Sequence, residues 1–397
     1  MQAESAAQPG GPSANPAATS PHKRVMIVAG EASGDLHGAD FAANLLARDS
    51  TCELFGIGGE RMRAAGVRAL FKTEDIAGLG LAELASTIRR TLGALRALRK
   101  ILRSDPPNLV VLIDYAEFNL ILAGSARRAG VPVLYYILPQ VWAWRRGRIG
   151  KLVKRAQRMA VVFPFETELY ARAGGRVSFV GHPLLDRVAP AQDRDATLAR
   201  HGFDADARLL ALLPGSRPAE VGYLLRPMLE AAMVLAAKHR LTPVIALAPT
   251  LDAGLLREIA GASALEGVQI IQDDTYSIIA ASDLALVASG TATLETALLG
   301  CPMVIAYKMS PVTYTVARML VRGVDFIGMP NILAGRAIVP ELIQADVTPG
   351  NLVRAAEPML VEPLHGETAA ALRAVRSSLG SPGAADRVAA MALEMMA

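Results

Sequence analysis

The sequence predicts two doubly wound, Rossmann-like α/β domains that face a cleft. Short apolar runs ending in Gly, Asp or Pro alternate with longer amphipathic stretches, which is typical of repeated βα units and a parallel sheet. The 397 residues exceed what one ordinary core holds. Because 52% of them are apolar but only 5% aromatic, sheets of small aliphatic side chains are favoured over an all-β sandwich.

The predicted strands fall into two series. The first series comprises residues 24–30, 52–56, 108–114, 131–137, 159–163 and 177–181. The second comprises residues 208–213, 243–248, 268–271, 284–288 and 303–307, with helical stretches such as 226–239 between them. Two similar series indicate two similar domains.

A polar stretch at 190–206 separates the two series and predicts a linker. We therefore expect an N-terminal domain at 22–187 and a C-terminal domain at 188–361. The last helices, within 362–397, would pack back on the first domain or exchange with a second subunit.

Residues 1–21 are rich in Ala, Pro, Gly and Ser and contain no apolar run, which predicts a disordered tail. The longest apolar stretch, 131–144, is interrupted by Pro132, Pro139 and Gln140 and is shorter than the roughly 20 residues of a membrane span. We expect no transmembrane helix.

Composition excludes several other classes. The net charge of +4 is small for the length and argues against nucleic-acid binding. Cys52 and Cys301 are too few for a disulfide framework, and they fit a reducing cytosol. The six histidines are scattered and no carboxylate pair has a compelling spacing, so we expect neither a metal nor a cofactor.

Ligands of open parallel sheets bind beyond the carboxyl ends of the strands, so residues there are the site candidates. The first strand runs into a turn of small residues containing Glu31, Ser33, Gly34 and Asp35. This turn lets backbone N–H groups approach a sugar or phosphate. A tight βα turn capped by Ser33 or Asp35 is the alternative.

Asp114 closes the run 109–113 and occupies the position of a cleft-facing group. A carboxylate there could take the proton from an acceptor hydroxyl. The alternative is a helix-capping Asp, with Glu117 as the other half of a capping pair.

In the second half, Gly215, Ser216 and Arg217 follow the strand 208–213. The glycine turn would present a guanidinium whose forked donors suit a diphosphate and whose charge is permanent. A surface ion pair between Arg217 and Glu220 is the alternative.

The strand 284–288 ends in Ser289, Gly290 and Thr291, and a helix follows at once. The amino end of a helix is a ready anion site. Glu295 lies one turn beyond Thr291 and could reach a ribose diol. Alternatively, Glu295 is a first-turn acidic residue favoured by the helix dipole.

Two basic, apolar segments suggest contact with an anionic membrane surface. Residues 81–103 combine a helical apolar stripe with Arg89, Arg90, Arg96 and Arg99. The second segment contains Trp142 and Trp144, followed by several Arg and Lys residues. A core-facing helix with a solvated basic side would have the same pattern.

Together these motifs resemble the lipid-A-disaccharide synthase family, over about residues 24–385. The segments that carry the resemblance are AGEASGD (29–35), VWAWR (141–145), FPFE (163–166), GHPLLD (181–186), LLPGSR (212–217), ASGTATLE (288–295), CPMVIAYKM (301–309) and MPNILAGR (329–336). Singly each is modest, but in this order and spacing they are highly specific. The sequence departs from the family pattern at Ala116, where a proline often stands, and at Leu138, where a serine often stands.

The resemblance implies a B-type glycosyltransferase fold and an inverting transfer of a diacylglucosamine unit from UDP-diacylglucosamine to diacylglucosamine phosphate. It implies work at the inner face of the cytoplasmic membrane as a peripheral cytoplasmic protein, and a homodimer. By motif, Asp114 corresponds to the general base and Arg217 and Asn331 to essential cleft residues. Ser289, Gly290, Thr291 and Glu295 would surround UDP. A related transferase with another lipid acceptor and a non-catalytic UDP-sugar-binding protein are the alternatives.

Overall fold

The computed structural model describes residues 23–73, 84–144, 146–311, 313–315 and 325–397. These residues form two parallel β-sheets. The first contains β1 (Arg24–Ala29), β2 (Glu53–Gly58), β3 (Arg68–Lys72), β4 (Leu109–Ile113), β5 (Val133–Tyr136), β6 (Arg158–Val161) and β7 (Val177–Phe179). The second contains β8 (Arg208–Leu213), β9 (Leu241–Ala246), β10 (Gln269–Ile271), β11 (Ser282–Ala288), β12 (Met303–Tyr307) and β13 (Glu341–Ile343).

Helices connect successive strands and cover both sheets. In chain order they are α1 (Ala32–Arg48), α2 (Glu60–Ala64), α3 (Leu84–Ser104), α4 (Ala116–Arg128), α5 (Val141–Trp144), α6 (Ile149–Arg155), α7 (Pro164–Arg172), α8 (Arg194–Arg200), α9 (Pro218–His239), α10 (Ala253–Ala260), α11 (Thr275–Ala281), α12 (Thr291–Leu298), α13 (Met329–Ala334), α14 (Pro349–Ala356), α15 (Leu364–Ser378) and α16 (Ala384–Met396). No helix in the described part of the chain is long and apolar enough to cross a bilayer.

The strand order places a reversal point in each sheet. The first sheet has the order β3-β2-β1-β4-β5-β6-β7, so the chain turns from one direction to the other between β1 and β4. The second has the order β10-β9-β8-β11-β12-β13 and reverses between β8 and β11. In doubly wound sheets the crevice at such a point is the usual ligand site. The motifs that follow β1, β4, β8 and β11 therefore belong to two such crevices.

The first sheet is buried on both faces. Along β1, Val25, Ile27 and Ala29 join one apolar cluster, whereas Met26 and Val28 join another. This alternation follows from the opposite directions of successive side chains in a strand. Two buried faces explain why the strands are continuous apolar runs rather than alternating patterns.

The C-terminal helices cross from the second domain to the first. Helix α15 packs against α12 and α13, and α16 packs along α1 of the same chain. Asp386 of α16 accepts two hydrogen bonds from Arg48 of α1, at 2.8 and 2.7 Å. Arg387 donates from Nε to the Val180 carbonyl at 2.9 Å. The predicted domain limits and the exchange with a second subunit remain predictions.

The predicted fold class is confirmed, and each predicted strand has an observed counterpart with ends shifted by at most a few residues. Two strands, β3 and β13, were not predicted. Both are edge strands, and their residues are mostly only partly buried, so they lack the apolar run that marks the central strands. Helix α9 begins at Pro218, eight residues before the predicted stretch. The predicted tail, 1–21, lies outside the described residues.

Candidate functional site

The turn after β1 lies against the turn after β4. A Cβ atom at Gly30 would lie 2.1 Å from the Tyr115 ring, so only glycine allows this contact. Gly34 is buried, whereas Glu31 and Ser33 are exposed at the surface of the turn. The contact brings the glycine turn and Asp114 into one crevice at the reversal point of the first sheet.

Asp114 sits in a constrained and partly desolvated position. Asp114 and the next residue, Tyr115, both have left-handed backbones, with φ of 48° and 47°. Non-glycine residues rarely adopt this conformation, and it concentrates at functional sites. Burial, and then the nearby Glu31 carboxylate, raise the pKa of Asp114 to about 6, although a hydrogen bond from the Tyr115 backbone opposes them. Such a pKa suits a general base near neutral pH.

Two buried side chains hold this turn. The amide of Asn119 donates to the carbonyls of Ile113, at 3.1 Å, and of Asp114, at 2.9 Å. The Tyr135 hydroxyl donates to the same Asp114 carbonyl at 3.0 Å. Neither role was predicted from the sequence, because Asn119 lies within a predicted helix, Tyr135 lies within a predicted strand, and no motif marks either residue.

Asp35 has a different surrounding from the one predicted for a substrate-binding residue. Its carboxylate is buried and accepts the backbone N–H groups of Gly59 at 2.6 Å and of Arg61 and Met62 at 3.1 Å. These groups belong to the amino end of α2, so Asp35 caps a neighbouring helix. The capping alternative describes Asp35 better, although it caps α2 rather than its own helix.

The second crevice is a cavity of about 750 Å³ at the reversal point of the second sheet. Most of the residues predicted for the second domain line it: Gly215, Ser216, Arg217, Ser289, Gly290, Thr291 and Glu295. The segment after β10 also lines it, through residues 272–276, which include the first turn of α11. That segment follows a predicted strand, so the rule that ligands bind beyond strand ends would have found it.

Arg217 lies at the amino end of α9. Glu220 accepts the backbone N–H groups of Ser216 at 3.0 Å and of Arg217 at 3.3 Å, which caps the helix. Gly215 has φ of 131°, and a Cβ atom there would lie 2.6 Å from the Glu220 Cβ. The Arg217 guanidinium is 3.6 Å from Glu220, with 76% of its side chain exposed. The ion pair with Glu220 that was the alternative prediction is thus present, but it is solvated and therefore weak.

The amino end of α12 opens onto the same cavity. Gly290 and Thr291 are exposed there, and the Thr293 hydroxyl donates to the Gly290 carbonyl at 2.8 Å. Glu295, one turn further, accepts a hydrogen bond from the Tyr276 hydroxyl at 2.8 Å. Burial raises the pKa of Glu295, and the Tyr276 hydrogen bond opposes that rise.

Asn331 does not present its side chain to a cleft. It is fully buried, and its amide donates to the Val339 carbonyl at 2.9 Å and to Glu341 at 2.7 Å. Its carbonyl oxygen accepts the backbone N–H groups of Ile338 and Val339. Glu341 also accepts the N–H groups of Ile327 and Gly328, in the loop before α13. These contacts favour a role for Asn331 in shaping that loop, rather than direct contact with substrate.

The residues predicted to contact a membrane separate into two groups. On α3, Arg89, Arg90 and Arg96 are exposed beside the exposed apolar side chains of Ile88 and Leu92. Arg99 is partly buried, and its Nε donates to Ser125 at 3.0 Å.

Trp142 is buried, contrary to its predicted place at a membrane surface. Its indole N–H donates to Glu166, also buried, at 3.2 Å, and its ring meets Phe165 edge to face. Burial raises the pKa of Glu166 to about 7. The Phe165 ring and the Glu166 carboxylate give this buried tryptophan an apolar contact and a hydrogen-bond partner. The side chain of Trp144 lies outside the described part of the structure.

In the described part of the chain, no three His, Cys, Asp or Glu side chains are grouped to hold a metal ion. The predicted independence from metal stays a prediction.

Solved structures identify the class of fold. CalG4, the calicheamicin glycosyltransferase, superposes with a TM-score of 0.60 at 17% identity, covering 95% of this chain and 99% of that one. MurG of Acinetobacter baumannii gives a TM-score of 0.59 at 16% identity, covering 94% and 99%. The fold is that of the B-type glycosyltransferases.

Sequence comparison identifies the family. The model of the lipid-A-disaccharide synthetase family matches residues 25–387. The lipid-A-disaccharide synthase of Geobacter metallireducens is 47% identical over 381 residues, covering 95% of this chain and 98% of that protein. The one of Syntrophus aciditrophicus is 46% identical over 378 residues, covering 94% and 98%. The chain belongs to the lipid-A-disaccharide synthase family, and it is a glycosyltransferase of lipid A biosynthesis.

Proposed function

We propose that the chain transfers a diacylglucosamine unit from UDP-diacylglucosamine to diacylglucosamine phosphate and releases UDP. The observation that carries this proposal is the pairing of two crevices. One holds a carboxyl group whose pKa lies near neutrality, and the other is a large cavity at a helix amino end. An inverting transfer needs one base for the acceptor and one site for the departing nucleotide.

In the proposed reaction, Asp114 activates the acceptor. Its carboxylate takes the proton of the acceptor hydroxyl while the hydroxyl oxygen attacks the anomeric carbon of the donor. The bond between that carbon and the diphosphate oxygen breaks, and its electrons leave with UDP. Attack from the face opposite the diphosphate converts the α-linked donor into a β-linked product.

The donor side falls to the cavity of the second domain. Arg217 and the amino end of α12 would offset the charge that develops on the diphosphate. Glu295 would accept hydrogen bonds from the ribose hydroxyls. UDP-GlcNAc 2-epimerases share this fold, among them one from Neisseria meningitidis bound to UDP-GlcNAc, with a TM-score of 0.54. This likeness supports a uridine nucleotide in the cavity.

We also propose that the exposed side of α3 rests on the anionic inner face of the cytoplasmic membrane, where substrates with acyl chains reside. Arg89, Arg90 and Arg96 would attract the lipid headgroups, and Ile88 and Leu92 would enter the interface.

The proposed transfer is tested by measuring UDP release from UDP-diacylglucosamine without added metal, with and without diacylglucosamine phosphate. Release that depends on the acceptor, together with a disaccharide seen by mass spectrometry, supports the proposal. Release without acceptor would indicate hydrolysis, and no release by folded protein would indicate different substrates.

A further inference from the structure

Tyr276 lies where the cores of the two domains meet. It belongs to α11, and its partly buried ring packs against the apolar cluster around α12 and α16 as well as against the core of the second sheet. It also lines the 750 Å³ cavity. One side chain therefore packs against both apolar clusters and lines the cavity.

The hydroxyl of Tyr276 holds Glu295 within that crevice. It donates to Oε1 of Glu295 at 2.8 Å, which leaves Oε2 of the same carboxylate to accept a ligand hydroxyl. A glutamate has three side-chain torsions, and an unrestrained one would lose much of its freedom when a ligand binds. The hydrogen bond fixes these torsions before the ligand arrives.

The residues on either side of Tyr276 in the sequence also hold the start of α11 in place. Asp274, at the start of this helix, contacts His201 of the segment after α8 at 2.9 Å and Gln192 of the linker at 3.4 Å. Ser277 accepts the N–H of Ala191 at 3.1 Å. These contacts anchor α11 to the linker, so the tyrosine is a rigid support.

We propose that Tyr276 is a positioning residue that orients Glu295 toward the ribose hydroxyls of the donor. The inference rests on the proposed function, since it requires a uridine nucleotide in this cavity. Tyr276 acts through Glu295 and does not take part in the transfer itself.

Tyr276→Phe tests the inference because it keeps the ring at the domain junction and removes only the hydroxyl. We expect UDP affinity, measured by calorimetry, to fall by roughly three- to tenfold, the usual net effect of one ordinary hydrogen bond, because the lost bond acts on the ligand only through Glu295. The KM for UDP-diacylglucosamine should rise in proportion, while kcat changes less than about twofold, as expected when ground-state binding is lost. Tyr223→Phe, the same change at an exposed tyrosine of α9 outside the cavity, should alter neither.

The nucleotide itself distinguishes positioning from general damage. Wild-type protein should bind UDP more tightly than 2′,3′-dideoxy-UDP, and Tyr276→Phe should reduce this preference. A purely structural defect would weaken both nucleotides equally and would overturn the inference.

A double-mutant cycle with Glu295→Ala completes the test. If Tyr276 acts through Glu295, Tyr276→Phe adds no further loss of UDP affinity in the Glu295→Ala background. Additive losses would overturn the inference. Should Glu295→Ala weaken UDP binding while Tyr276→Phe does not, the inference alone is wrong. If wild-type protein does not bind UDP, the proposed nucleotide site fails and the inference fails with it.

Discussion

Asp114 illustrates how position alone changes the chemistry of a residue. The sequence places it at the end of a strand, and this position is compatible both with a general base and with a helix cap. Burial and the neighbouring Glu31 set its pKa near 6, and neither is visible in the sequence because both depend on how β1 and β4 become neighbours. With this pKa, Asp114 is ionised at neutral pH and becomes protonated as the pH falls below about 6.

We predict that Glu31→Gln moves the acid limb of the pH profile of kcat/KM to lower pH. Removing a like charge favours the ionised form of Asp114, so its pKa falls and the base stays active in more acidic solution. The profile of the variant should be compared with that of Glu168→Gln, an exposed glutamate paired with Arg172. An acid limb that stays in place, or moves to higher pH, would show that Glu31 does not act on the titrating base.

We predict that Arg217→Ala lowers the transfer rate roughly a hundredfold or more, as when one donor to a developing negative charge is removed. Arg217 is mostly exposed and its ion pair with Glu220 is solvated, so the loss should appear in kcat with little change in stability. Arg257→Ala, at an exposed position on α10, controls for loss of charge. A near-normal rate for Arg217→Ala would show that Arg217 does not stabilise the departing diphosphate.

For individual residues, the sequence motifs predicted the positions of the two crevices better than they predicted the role of each side chain. Strand ends predicted where Gly215, Ser289 and Glu295 lie, because parallel strands bring their carboxyl ends to one edge. The burial of the Trp142 side chain could not be predicted. Nor could the hydrogen bonds that occupy the Asn331 amide within the protein. Side-chain direction and hydrogen-bond partners depend on residues distant in the sequence, such as Glu166 and Glu341.

At the scale of elements, the turn between β4 and α4 is held by its own helix. Asn119 lies in the second turn of α4 and reaches back to two carbonyl groups at the end of β4. This clamp stabilises the left-handed backbone of Asp114 and Tyr115, which would otherwise relax.

We predict that Asn119→Ala lowers the free energy of unfolding by roughly 1–3 kcal/mol, because the Ile113 carbonyl loses this side-chain donor and the Asp114 carbonyl keeps only the donor from Tyr135. Transfer should fall further than stability alone explains, since the Asp114 turn is released. Urea denaturation and initial rates on folded protein measure the two effects. Asn351→Ala, which removes an exposed hydrogen bond to the Asp346 carbonyl, is the matched control. Full activity in Asn119→Ala would show that the hydrogen bonds of Asn119 are not needed to hold the Asp114 turn.

Helix α3 is the element through which membrane binding is tested. We predict that replacing Arg89, Arg90 and Arg96 with Glu weakens binding to vesicles of anionic phospholipid by at least about a hundredfold, at about 1 kcal/mol for each basic charge lost near the surface. Cosedimentation measures the change. The same substitution at Arg61, Arg63 and Arg257, exposed on other helices, controls for net charge. Equal losses in both triple variants would mean that α3 is not the membrane surface.

The central strands were predictable, whereas two of the four edge strands, β3 and β13, were not. The strand 208–213 matches β8 at both ends because all but its first residue is buried. Residues 68–72 of β3 and 341–343 of β13 have mixed, partly exposed side chains, so their pairing with β2 and β12 defines them as strands. Whether such a segment forms a strand depends more on its pairing with the neighbouring strand than on its own residues.

At the scale of the whole molecule, two similar sheets would supply different halves of the proposed reaction. Each has a crevice at its reversal point, and the chain returns from the second domain to the first through α15 and α16. The repeat of βα units predicted this architecture. The return of the last helices to the first domain was one of two predicted arrangements, but the choice of α1 as the surface that α16 covers could not be predicted from the apolar pattern of the helix alone.

Asp114→Asn is the sharpest test of Asp114 as the general base, because asparagine has the same shape but cannot take a proton. The measurement is a single turnover of UDP-diacylglucosamine with excess acceptor, together with UDP affinity by calorimetry. We predict unchanged UDP affinity and stability with transfer lowered by about a hundredfold or more, the usual contribution of general base catalysis. Transfer at the wild-type rate would contradict it and would place the base elsewhere in the first crevice.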